Sequence, residues 1–164
     1  MDARLNPEAP ASPEHVDILR KDYQPLDYWV REVALDVALD PAATRVRAVL
    51  SVERNGTHDR PLRLAGDGLE PVAVRVDGGA ADWSIDGDML LIAIAGASAT
   101  IETEVVIDPA GNSKLMGLYS SGGILCTQCE SEGFRRITYH PDRPDILSTY
   151  RVRMSADKPR FPVL

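Results

Sequence analysis

The run Glu32-Val33-Ala34-Leu35-Asp36-Val37-Ala38-Leu39-Asp40 decides the fold class. Val33, Leu35, Val37 and Leu39 fall on one face of an extended chain, and Glu32, Asp36 and Asp40 on the other. A period of two with one wet side is the signature of a half-buried strand. Pro41-Ala42-Ala43 then turns the chain, and Val46, Ala48, Leu50 and Val52 repeat the period in a second strand. Asn55-Gly56 closes that strand, because both residue types tolerate positive φ.

Outward from this pair the same grammar continues. Leu62-Arg63-Leu64 is a short strand that stops at Ala65-Gly66-Asp67-Gly68. Val72, Val74 and Val76 form another that stops at Asp77-Gly78-Gly79. Trp83-Ser84-Ile85 and Met89 to Ile94 flank Asp86-Gly87-Asp88 as a hairpin. Thr100 to Ile107 puts Ile101, Thr103, Val105 and Ile107 on one face. Ser148 to Ala156 is extended again, with Tyr150, Val152 and Met154 set against Arg151, Arg153 and Ser155. Short strands between regular turns, with hardly a helix, predict an all-β domain built as an antiparallel β-sandwich. One helical turn is expected within Glu14 to Lys21 and another at Pro144-Asp145-Ile146-Leu147. Trp29 and Trp83 read as core or core-edge aromatics.

The 164 residues suit one domain, and 44% apolar content suffices for a packed core. Asp2 to Pro13 holds three prolines and little apolar material, so residues 1–22 are expected to form a loose arm ahead of a domain over 23–164. The formal charge of −7 argues against nucleic acid as a partner, since phosphate binding needs a basic patch. No apolar run approaches the ~18 residues of a membrane span, and the N-terminus lacks the basic start and apolar stretch of a secretory leader. With only two cysteines and no disulfide framework, the expectation is a reduced, cytoplasmic protein.

The chemistry-bearing groups concentrate in Leu125-Cys126-Thr127-Gln128-Cys129-Glu130-Ser131-Glu132-Gly133-Phe134-Arg135. Cys126 and Cys129 form a C-x-x-C pair. A redox dithiol wants such a pair at a helix start, and a zinc site wants further cysteines or histidines at ligand spacing. His15, His58 and His140 are scattered and no other cysteine occurs, so the pair reads as free thiols. In an extended run Gln128, Glu130 and Glu132 would share a face. A carboxylate and an amide two residues apart make a platform for an ammonium group: one supplies charge, the other a directional hydrogen bond. The alternative from spacing is a solvated acidic face, paired with Arg135 or Arg136. Asp86-Gly87-Asp88 lacks the alternating oxygen ligands and closing glutamate of a calcium loop and reads as a turn. The sequence contains no H-E-x-x-H, phosphate loop or G-x-S-x-G.

The stretch Leu118-Tyr119-Ser120-Ser121-Gly122-Gly123-Ile124-Leu125-Cys126-Thr127-Gln128-Cys129-Glu130-Ser131-Glu132-Gly133-Phe134-Arg135 resembles the N-terminal domain of the bacterial aminopeptidase N family, zinc metallopeptidases of the gluzincin group. Arg136-Ile137-Thr138-Tyr139-His140-Pro141-Asp142-Arg143-Pro144-Asp145 and the fainter Pro61-Leu62-Arg63-Leu64-Ala65-Gly66-Asp67-Gly68-Leu69 carry the same likeness. It runs from about Tyr23 to the end, and the T-Q-x-E-x-E-G-x-R block is its specific core. The resemblance implies a saddle-like β-domain ahead of a catalytic domain that removes N-terminal residues from peptides. There the zinc and its H-E-x-x-H and G-A-M-E-N elements would reside. It implies that Glu130 anchors the substrate α-ammonium and that Gln128 lines the first side-chain subsite, with structural roles for Glu132 and Arg135. By the same resemblance this chain carries no catalytic residue, metal ligand or cofactor, and is inactive alone. Its partners would be a peptide N-terminus and the family's catalytic domain. The ending Phe161-Pro162-Val163-Leu164 reads as an interruption of the family's β-domain, and an open sheet edge there is expected to drive self-association. Two other functions remain open on the residues: a stand-alone module for peptide N-termini or a partner protein, and a thiol-redox protein.

Overall fold

The computed structural model describes residues 19–162; the proposed arm over residues 1–18 and the terminal Val163 and Leu164 lie outside them. Eleven strands follow in chain order: β1 Tyr28–Leu39, β2 Thr44–Arg54, β3 Leu62–Ala65, β4 Pro71–Val76, β5 Gly79–Ala80, β6 Trp83–Asp86, β7 Met89–Ile92, β8 Ser98–Ile107, β9 Gly117–Ser121, β10 Ile124–Gln128 and β11 Thr149–Ala156. Helical backbone among the described residues is confined to 3-10 turns at Arg20–Asp22 and Phe134–Arg136. The Glu14 to Lys21 helix expectation therefore survives only as the first of these turns, its earlier residues lying outside the described span. Pro144-Asp145 is a simple turn closed by Ile146 N donating to Arg143 O at 3.2 Å, with no helix.

A six-stranded sheet has the order β11-β1-β2-β8-β4-β5, a three-stranded sheet the order β3-β7-β6, and β9-β10 forms a separate ribbon. The alternation read from the sequence sets the inner face. Val33, Leu35 and Val37 of β1, Val46, Ala48, Leu50 and Val52 of β2, and Ile101 and Val105 of β8 are buried. They share one core with Leu62 and Leu64 of β3 and Leu90 and Ile92 of β7 on the facing sheet. Each such valine, leucine or isoleucine contributes about 1.5–3 kcal/mol on burial. The β1–β2 turn is closed by Asp40, whose Oδ1 accepts from Ala42 N and Ala43 N, and by Thr44, whose hydroxyl donates to Asp40 O at 2.6 Å. The Asp86 to Met89 hairpin forms as expected.

In β1 a bulge between Val30 and Glu32 shifts the buried set from Tyr28 and Val30 to Val33 and Leu35, which is why the strict alternation begins only at Val33. Three expectations are corrected. The sandwich is not wholly antiparallel, since β11 runs parallel to β1, with Val33 opposite Tyr150 and Leu35 opposite Val152. The segment before β11 is tied to the segment before β1: Tyr23 Oη donates to Asp145 Oδ2 at 2.9 Å, Arg143 Nη2 to Gln24 O at 3.0 Å, and Ser148 Oγ to Val30 O at 2.7 Å. Two strands launched from one end must run the same way. The apolar side of β11 is not core: Tyr150, Val152 and Met154 are each about half exposed. Trp83 is exposed on the edge strand β6, whereas Trp29 is half-buried with the Arg31 guanidinium 5.5 Å from its ring centroid.

Candidate functional site

The β9–β10 ribbon turns at Gly122-Gly123, both with positive φ, as a two-residue hairpin requires. Its last pair is Gln128 opposite Gly117, and the strand stops there. Arg136 packs against Gly117 closely enough that a Cβ on Gly117 would lie 2.7 Å from the Arg136 Cβ. Cys129 O then accepts from Gly133 N at 2.8 Å, closing a turn that carries Glu130, Ser131 and Glu132 at its tip. The Glu130-Ser131 peptide bond is cis. Gly133 seals the base of the turn, since a Cβ there would stand 2.5 Å from Gln128 O and 2.7 Å from Cys129 Cα.

The next two residues fasten the turn to the body. Asp142 Oδ2 accepts from Arg135 N at 3.0 Å and from Arg135 Nε at 3.2 Å, and Arg135 Nη2 donates to Asp142 O at 2.8 Å. The same guanidinium reaches Glu132 Oε1 at 3.4 Å. Arg136 pairs with Asp67 on the loop after β3. Behind them His140 bridges Ala65 through two backbone hydrogen bonds, its ring edge-on to Phe134 and its Nε2 3.2 Å from Tyr150 Oη. Burial holds the His140 imidazole down to about 4 against the partial opposition of Asp142.

Gln128, Glu130 and Glu132 are all exposed, but they do not share an extended face. The strand ends at Gln128, Glu130 sits on the turn, and Glu132 is drawn to Arg135. Of the arginines expected to pair with this face, Arg135 reaches Glu132 as well as Asp142, while Arg136 is held by Asp67. Among the described residues neither Gln128 nor Glu130 has a side-chain hydrogen bond or ion pair. What remains is an amide and a carboxylate, two positions apart, on a turn pinned at its base. An ammonium group is the chemistry that such a pair accepts. Gly133 and Asp142, which build the turn, were not singled out from sequence: a glycine's steric duty and an anchor seven residues away leave no periodic signal.

Cys126 and Cys129 are both free and half-buried, and burial, helped by the Asp142 charge, pushes the Cys129 thiol up. A raised thiol is the opposite of what a redox nucleophile needs. His58 is spent on Asp27 O, 2.9 Å away, and His140 on Tyr150. Among the described residues no three His, Cys, Asp or Glu side chains group to hold a metal ion, so these residues do not fit a zinc site.

Residues 83–163 match the Peptidase M1 N-terminal domain family. The chain is 49% identical over 146 residues to aminopeptidase N of Caulobacter vibrioides, covering 87% of this chain and 17% of that protein. It is 42% identical over 146 residues to aminopeptidase N of Escherichia coli, covering 88% and 17%. The structure of Legionella pneumophila aminopeptidase A in complex with aspartic acid superposes with a TM-score of 0.79 at 33% identity, over 87% of this chain and 18% of that one. The M1 zinc metallopeptidase of Deinococcus radiodurans shares the fold, with a TM-score of 0.68 at 16% identity over 79% of this chain and 32% of that one. The chain thus spans about 17% of the length of the two aminopeptidases N that it matches.

Proposed function

Because the chain belongs to the M1 aminopeptidase N family, as its N-terminal β-domain, we propose that it supplies the substrate-amine recognition of a zinc aminopeptidase. In this reading Glu130 accepts the α-ammonium of a peptide's first residue, and Gln128 borders the subsite of that residue's side chain. The peptide would lie between this domain and a catalytic domain that contributes the zinc. The observation that carries the reading is the exposed Gln128 and Glu130 pair, without side-chain partners among the described residues, on a turn clamped by Gly133–Cys129 and Arg135–Asp142. A carboxylate kept out of internal ion pairs on a fixed turn meets an incoming cation without first breaking a bond. Glu132 and Arg135 act in this scheme by holding the turn.

The test is Glu130→Gln in a polypeptide that carries this domain followed by its catalytic domain. Removing the charge while keeping the shape forfeits about 1.5–3 kcal/mol of charge-assisted hydrogen bonding. The expected loss in kcat/KM on aminoacyl-anilides is roughly ten- to hundredfold. Wild-type kinetics in that variant would refute the assignment. We propose a cytoplasmic location, which the two free thiols suit, and a domain over residues 23–164, whose first residue Tyr23 is tied to Asp145.

A second reading concerns the 164-residue chain itself. Among the described residues no strand pairs with the outer edge of β11 in the six-stranded sheet, and Tyr150, Val152 and Met154 stand beside Val33, Leu35 and Val37 with about half of each exposed. Such an edge favours pairing with a second copy. Light scattering behind a sizing column should give a mass above the monomer at high micromolar concentration, and a clean monomer would refute it.

A further inference from the structure

A concavity of the domain contains neither Gln128 nor Glu130, although Arg135 and Asp142, which clamp their turn, stand on its wall. It is a cleft of about 700 Å³ between the lead-in to β1, strands β3 and β7, and the segment from Arg135 to Arg143. Four arginines line it, Arg60, Arg63, Arg135 and Arg143, against two aspartates, Asp27 and Asp142, an excess of two positive charges. Asp145, which holds Arg143, and Glu132, 3.4 Å from Arg135, stand just outside the lining, and counting both leaves no excess. On a chain of formal charge −7 this cleft is locally balanced rather than acidic, and its capacity for an anion lies in guanidinium donors left without partners.

The aspartates orient these guanidinium groups without exhausting them. Arg60 spends Nε and Nη2 on Asp27 Oδ1. Arg135 spends the same two nitrogens on Asp142, and Arg143 spends them on Asp145 and Gln24 O. In all three the Nη1 amino group has no hydrogen-bond partner among the described residues. Arg63, exposed on β3, has no ion pair or side-chain hydrogen bond among them. A guanidinium carries five N–H donors in a rigid fork matched to carboxylate and phosphate oxygens. Fixing one edge against a carboxylate lowers the entropy lost when the other binds an anion. Leu26, Leu62 and Met89 add an apolar wall, and the volume lies within the roughly 300–1,000 Å³ of small-molecule sites.

We propose that this cleft binds a small organic dianion, a compound bearing two phosphate or carboxylate groups, through Arg60, Arg63, Arg135 and Arg143. The shared chemistry is a pair of oxyanions on a short frame. The site shares Arg135 and Asp142 with the clamp of the Glu130 turn but contains neither Gln128 nor Glu130, and Arg63, on which its test turns, takes no part in that clamp.

The test is calorimetric titration of the 164-residue protein with pyrophosphate and with citrate, at ionic strength held constant with chloride. The variants are Arg63→Ala, whose exposed side chain has no described partner to strand, and Arg75→Ala, an exposed arginine on β4 outside the cleft. Saturable binding of at least one probe is expected, weakened about tenfold by Arg63→Ala and unchanged by Arg75→Ala. Binding of pyrophosphate alone identifies a phosphate ligand, of citrate alone a carboxylate ligand, and of both a site for either oxyanion. No saturation by either probe below about 10 mM overturns the proposal. So does binding that Arg63→Ala leaves intact, or that Arg75→Ala weakens equally.

Discussion

Gly133→Ala sets two effects of opposite sign against each other at the turn that carries Glu130. Gly133 has φ −90° and ψ −17°, a right-handed helical conformation that alanine adopts freely. On backbone grounds alone the substitution would stabilise by about 0.4–1 kcal/mol, by restricting the unfolded chain. The surroundings decide otherwise. The new Cβ would lie 2.5 Å from Gln128 O, 2.7 Å from Cys129 Cα and 3.1 Å from Met116 Cε. Met116 can swing away, but the first two atoms are backbone at the end of β10. Relief requires the turn to open, which breaks the 2.8 Å Gly133 N to Cys129 O hydrogen bond. Overpacking costs about 1–3 kcal/mol and the lost bond about 1 more, so after the backbone gain the net destabilisation is about 1–3.5 kcal/mol. For a chain of this size that lowers Tm by roughly 2–14 °C. Calorimetric melting of the two proteins at pH 7 measures it. A Tm equal to or above wild type would show that the turn yields without cost and that Gly133 does not seal it.

His140 predicts a pH dependence. Its ring is 3% exposed and held to about 4, while the unfolded chain titrates near 6.5. At pH 7 it is neutral in both states; below about 6.5 the unfolded chain takes up a proton that the folded one refuses until about pH 4. Stability is therefore lost as pH falls through that window, by about 2 kcal/mol at pH 5. Urea unfolding at pH 7 and pH 5 should show this component in wild type and not in His140→Gln; equal pH dependence in both would refute it. Cys129, its thiol pushed up by burial, should react with iodoacetamide at pH 8 several-fold more slowly than free cysteine, read by mass spectrometry in a Cys126→Ser background. A rate matching free cysteine would mean that the thiol is solvated.

The sequence alone determined the strands whose alternation is local. Val33 to Leu39, Val46 to Val52 and Ile101 to Val105 each record which side chains face the core, because in an extended chain that record has period two. It also determined the family, through the specific block around Gln128 and Glu130, and most of the turns, through Gly, Asn, Asp and Pro at their tips. Only the tertiary structure decided the rest. The bulge at Val30 to Glu32 broke the period, so that the alternation from Val33 says nothing of how Tyr28 and Val30 are buried. β11 looked like another antiparallel strand, yet its direction was set by ties from Tyr23, Gln24 and Val30 to residues more than a hundred positions away. The run through Glu130 read as extended because nothing within it reports that Gly133 folds back onto Cys129 or that Asp142 holds Arg135. Those contacts join residues that no local period links. The arginine-lined cleft likewise gathers Arg60, Arg63, Arg135 and Arg143 from separate stretches, and local pattern carries no information about which distant side chains meet.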